Sequence, residues 1–205
     1  MRYVMAFAAS RRGPLVLGDG VTRSLVSVEC RRTALELMRG IVPPGSRSCA
    51  PRARGVARGW SGRELARWLA TSYAHATRHS ARGERINVSG RATVDRRALD
   101  ELLSRTHERL LRDLEEAARQ DGPLDLAEEM VGGGFVRRAV DQAGVDVWVP
   151  IDGLRMKLRD RVATLFVADY LNDPASYRSL YVCARCREVV FDEWAKTSGV
   201  CPLAS

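Results

Sequence analysis

Lysine is nearly absent from this chain: two residues stand against 31 arginines. Such a bias fits a coding sequence rich in G and C better than selection for phosphate contacts. Aromatic residues are also scarce, at 6%. No apolar run approaches the ~18 residues that a membrane-spanning helix requires. The N-terminal apolar run, residues 3–9, is short for a signal-peptide core, and Arg11 and Arg12 follow it. A cytoplasmic protein without membrane contact is the expectation. The three histidines stand outside any H-E-x-x-H pattern, and neither a G-x-S-x-G elbow nor a complete phosphate loop occurs. Without a catalytic set or an evident small-molecule substrate site, the chain is expected not to be an enzyme.

What is present is unevenly distributed. Residues 1–94 hold 17 Arg and 5 acids, a net +12, whereas residues 95–205 hold 16 bases and 20 acids, a net −4, together giving the overall +8. Residues 1–93 thus form an Arg-rich segment. It carries turn chemistry at Pro43, Pro44, Gly45 and Pro51, and a polar, Gly-interrupted stretch over residues 79–90. Such sequence buries too little apolar surface to offset the entropy of ordering it, so this segment is expected to be largely disordered or loosely folded. Short strands are expected at residues 15–17 and 25–28, and helices at 31–39 and 62–76.

Residues 94–205 read as one mainly α domain, with a helical core over about 94–180. Asp95 can cap a long helix whose Leu99, Leu103, Leu110, Leu114 and Ala117 form one stripe. Its outer face pairs Glu101 with Arg105, Glu108 with Arg112 and Glu115 with Arg119, worth ~0.2–0.5 kcal/mol each. Shorter helices are expected at 124–131 and 135–143, then an extended segment at 145–149. A second long helix is expected from Asp152 to about residue 171, with Leu154, Leu158, Val162, Leu165 and Phe166 inward. Asp173 and Pro174 open another short helix. Residues 180–182 and 188–191 read as a small β-hairpin, and residues 192–198 as a final helical turn.

The hairpin carries the chemistry. Cys183 and Cys186 form a C-x2-C element, in which a tight turn aims both sulfurs at one point and its amides can help hold them as thiolates. Cys201 lies 15 residues further on, far enough to return after the hairpin. The pattern resembles a zinc ribbon or knuckle whose fourth ligand position is occupied by Ala204. Cys183, Cys186 and Cys201 are therefore the candidate metal ligands and zinc the candidate ion. His107, Cys30, Cys49, Asp192, Glu193 or a partner chain are the candidate sources of a fourth donor. Five cysteines, an odd number without a secretory signal, speak against a disulfide framework. Gly132, Gly133 and Gly134 precede Arg137 and Arg138 and read as a linker rather than an anion cradle. His75 and His79 read as a solvated pair.

Together these features suggest a non-enzymatic, zinc-stabilised binding or regulatory protein with a protein partner. One alternative is a nucleic-acid-binding protein using the Arg-rich half and Arg185 and Arg187; it predicts binding that weakens steeply with salt. Another is a thiol redox protein using Cys183 and Cys186, although a run of β-type residues after the pair disfavours it.

Overall fold

A computed structural model describes residues 23–41, 96–140, 144–151 and 156–204. The expectations for residues 15–17, 43–51, 62–76 and 79–90, and for Cys49, His75, His79, Asp95, Asp152 and Leu154, fall outside those residues. The elements in chain order are α1 (Arg23–Gly40), α2 (Arg96–Arg119), α3 (Leu124–Gly132), β1 (Val136–Val140), β2 (Asp146–Pro150), α4 (Leu158–Asn172), a 3-10 helix (Pro174–Ser179), β3 (Leu180–Val182), β4 (Val189–Phe191), α5 (Glu193–Ser198) and a terminal 3-10 turn (Pro202–Ala204). The described residues form a mostly helical core with a small C-terminal antiparallel hairpin. None of the described helices is long and apolar enough to cross a membrane.

The centre is α4. Val162, Ala163, Phe166, Val167 and Ala168 are buried around its whole circumference, so it is enclosed on every side, as a core helix is. Around it pack α1, α2, α3 and both strands of the first hairpin. The long helix α2 has the expected bounds to within two residues and buries Leu103, Leu110, Leu114 and Ala117. It ends when Asp121 turns into the left-handed region and the Gly122 amide bonds back to Ala117 O at 2.8 Å. Arg105 does pair with Glu101. Glu115 instead reaches across to Arg187 at 2.8 Å.

Four expectations need correction. Residues 25–28 are not a strand. They belong to α1, which extends well beyond residues 31–39 and, although it lies in the segment expected to be loosely folded, is packed into the core. Val26, Cys30, Ala34 and Met38 recur every four residues on its buried face. Residues 135–143 contain a strand, not a helix: β1 pairs antiparallel with β2, Arg138 opposite Trp148. The second long helix starts at Leu158, with Lys157 extended before it. Gly132 to Gly134, expected to be a linker, form an ordered helix stop. They close α3, with Gly134 N–H to Val131 O at 2.9 Å and Phe135 N–H to Met130 O at 2.8 Å around a left-handed Gly134.

A buried polar network ties α1 to α4. Asp169 has no exposed surface and accepts hydrogen bonds from Ser27 Oγ, from Arg31 Nε at 2.8 Å and from Tyr177 OH at 2.9 Å. Tyr177 OH also lies 2.8 Å from Phe166 O, and the Tyr177 ring stands edge-on to Phe191 at 5.0 Å. The Arg31 guanidinium lies over the Phe191 ring at 4.6 Å, so one arginine touches the helix bundle and the C-terminal hairpin together. The Asn172 side chain bonds both backbone groups of Trp148, at 2.9 and 2.7 Å, and so closes one edge of β2.

Candidate metal centre

The hairpin that bears the cysteines is fixed from below before any ion is considered. Leu180 and Val189 are buried in the main core. Tyr177, just before β3, is buried with them. Three ion pairs then link the hairpin and α5 to the helices: Arg39 to Glu188 at 3.0 Å, Arg187 to Glu115 at 2.8 Å and Lys196 to Asp121 at 2.6 Å. Exposed pairs of this kind contribute little each, but they set orientation.

Within the turn between β3 and β4, the Cys183 amide bonds Glu188 O at 2.9 Å and the Arg187 amide bonds Cys183 O at 2.8 Å. Closing so tight a loop puts Arg187 in the left-handed region at φ 61°. That conformation strains a residue with a Cβ, and glycine is the usual occupant. The Cys186 amide meets Cys183 Sγ at 3.5 Å. After α5, capped by the Asp192 carboxylate on the Ala195 amide at 2.7 Å, the left-handed Gly199 turns the chain back towards the knuckle. Cys201 thereby arrives with its sulfur 3.7 Å from Cys186 Sγ.

The three ligand atoms all lie within 4.8 Å of one another and all three residues are buried. A disulfide would need sulfurs at ~2.05 Å. Three sulfurs each ~2.3 Å from the centre of a tetrahedron stand about 3.8 Å apart, close to the 3.7 Å between Cys186 and Cys201. The three close cysteines can hold a metal ion.

The electrostatics suit a cation. Burial opposes ionisation of Cys183. The amides of Cys186 and Arg185 and the neighbouring thiols of Cys186 and Cys201 outweigh it, so the Cys183 pKa falls below its ordinary value. Cys201 is raised, chiefly by burial and further by the charge of Cys183, although the Leu203 amide donates to its sulfur. One thiolate in the cluster thus holds back the next, and a bound cation reverses that order by stabilising every thiolate at once.

The candidate fourth donors lie elsewhere. Buried His107 lines a small cavity with Leu35, Met38, Arg39, Arg187, Glu188 and Val189. Burial and the nearby Arg187 lower its pKa to about 4. Cys30 sits in α1 on the main core. Burial and the charges of Asp169 and Glu29 push its thiol up to about 12, so it stays protonated. Asp192 is engaged in capping α5. Among the described residues the cluster contains only the three cysteines.

Arg137 and Arg138 are both exposed in β1, Arg138 paired with Asp146. No sequence motif marks the Asp169 network. The four-residue spacing of Val26, Cys30, Ala34 and Met38 is the signal that could have found it, since it places Ser27 and Arg31 beside that stripe. Comparison with family models, curated proteins and solved structures finds no match to this chain.

Proposed function

We propose that this chain is a non-enzymatic binding protein whose C-terminal knuckle is held by zinc on Cys183, Cys186 and Cys201, and which acts through contact with another protein. The observation that carries the metal assignment is the convergence of three buried sulfurs within 4.8 Å of one another, Cys186 and Cys201 at 3.7 Å, with the Cys186 amide on the Cys183 sulfur. Thiolates select soft or borderline ions, and zinc takes this ligand type at this spacing. A partner reading is supported by the segment the ion would pin, where Trp194 and Val200 present exposed apolar side chains, 60% and 47% accessible. An exposed tryptophan on a fixed element is the kind of anchor that protein interfaces use. The Arg-rich alternative draws less support from the described residues, because Arg31, Arg39, Arg159 and Arg187 are all paired with carboxylates.

Native mass spectrometry with metal analysis on the purified chain tests the assignment. The expected result is one zinc per chain, lost in a C183S/C186S double variant that keeps its helical circular dichroism. A chain that stays metal-free at saturating zinc ends the metal reading. An enzymatic turnover abolished by a single substitution would overturn the non-enzymatic part.

A further inference from the structure

The cysteine cluster is asymmetric in a way that defines what else it takes, an inference that rests on the metal reading of Cys183, Cys186 and Cys201. The turn Cys201-Pro202-Leu203-Ala204 is built like the second half of a paired knuckle. In the first half the Cys186 amide meets the Cys183 sulfur at 3.5 Å and the Arg187 amide bonds Cys183 O at 2.8 Å. The Ala204 amide bonds Cys201 O at 2.9 Å. Position 204 comes after Cys201 by the interval that separates Cys186 from Cys183, yet it holds a methyl group and is exposed. A tetrahedral ion on three sulfurs has one corner left. Among the described residues no fourth donor joins the cluster.

We propose that a metal ion on Cys183, Cys186 and Cys201 keeps one exchangeable coordination position, at the corner beside Ala204, and that a thiolate from outside the chain fills it. The class of donor is set by the surroundings. The apolar side chains packed against the three cysteines are those of Tyr181 and Leu203. An apolar wall disfavours a hydrated oxygen donor and accepts polarizable sulfur, and an ion already bound by three thiolates is thiophilic. The exchange is simple in its balance. The incoming sulfur forms a bond to the ion, a solvent molecule leaves, and the thiol proton passes to water, with no change of oxidation state. The thiolate comes from a small molecule or from a cysteine of a second protein chain, and both present the same atom.

Cobalt(II) reports the number of sulfurs directly. The full-length chain is loaded with cobalt under a thiol-free reductant, its sulfur-to-metal charge-transfer absorbance is recorded, and 2-mercaptoethanol is titrated in. The expected result is a saturable rise of about one third, from three thiolates to four, with native mass spectrometry showing one mercaptoethanol per cobalt on a monomer. If a cysteine of a second copy fills the corner, the four-thiolate absorbance is present before any thiol is added and the species is a dimer. Ala204→Cys should give the four-thiolate absorbance as a monomer, without added thiol and without response to it. An unchanged spectrum in wild-type monomer, with cobalt bound, overturns the proposal, since the chain then completes its own site. Failure to bind cobalt at all sinks the metal reading itself, a different and separately visible outcome.

Discussion

Asp169 shows how much a single buried side chain is asked to do. Burial pushes its pKa above the ordinary value, against the opposing pull of Arg31, Ser27 and Tyr177. For a carboxyl raised in this way, the contribution to stability is fully present below the unfolded value of 3.8 and is lost as pH rises through the folded value. Arg31, first among the groups that oppose that burial, is the one that brings a full positive charge to the carboxylate. Arg31→Ala strands that carboxylate and should lower unfolding free energy by about 3 kcal/mol, the lower end for a broken buried pair because Arg31 is itself partly exposed. Adding Asp169→Asn should recover part of the loss. Urea unfolding at pH 7 checks this, with exposed Arg32→Ala as the control; equal losses at the two arginines would refute it. His107 makes the opposite case. A buried base lowered from 6.5 to about 4 favours folding while neutral, so stability is full above 6.5 and drains away as pH falls towards 4. Between pH 7 and pH 5 the wild type should lose about 2 kcal/mol more than His107→Gln under the same metal conditions. Parallel pH profiles for the two proteins would count against His107 as the source.

Elements differ in how clearly they announce themselves. In α2 and the C-terminal hairpin, leucine stripes and β-type runs next to turn residues are enough to place the helix and both strands. The helix α1 is not legible whole because its buried face is made of Val26, Cys30, Ala34 and Met38. Small residues and intervening arginines dilute the apolar signal even though the four-residue repeat is regular. In β1 the buried residues are Val136 and Ala139, three apart, a helical interval in what is a strand. Only pairing with β2, a contact made through the chain's return, decides between the two. The knuckle is legible because ligand spacing is a local property. The corner at Ala204 is legible as an absence, but the ion pairs that orient the knuckle are tertiary facts. The glycine run at the end of α3 gives a test at this scale. Gly132 is helical with open space around its Cα, so Gly132→Ala should stabilise by about 0.5–1 kcal/mol. Gly134 is equally uncrowded but sits at φ +72°, so Gly134→Ala should cost about 1 kcal/mol. Thermal unfolding of the two variants should move in opposite directions; a flexible linker would leave both near wild type.

At the scale of the whole molecule, the main core and the sulfur cluster are separate. The core runs continuously from Val26 in α1 through α2 and α4 to Leu180 and Val189, whereas Cys183, Cys186 and Cys201 form a satellite packed with Tyr181 and Leu203. Leu180, Val182, Val189 and Phe191 of the hairpin strands belong to the first cluster, whereas Tyr181 of β3 and the two turns that carry the cysteines belong to the second. Removing the proposed metal should therefore act locally. Hydrogen exchange should quicken in residues 183–187 and 199–204, while α1, α2 and α4 keep their protection because nothing in their packing depends on the ion. The size comes from linkage: at free metal about a hundred times the dissociation constant, binding adds ~2.7 kcal/mol to the closed state, which slows exchange there about 100-fold. Chelation should abolish that factor, and Cys183→Ser should reproduce the chelated pattern without a chelator. Exchange that rises throughout the helices on chelation would mean that the ion organises the whole fold. Exchange unchanged in both turns would mean that the ion pairs Arg39–Glu188, Arg187–Glu115 and Lys196–Asp121 already hold the knuckle and the thiols are passengers.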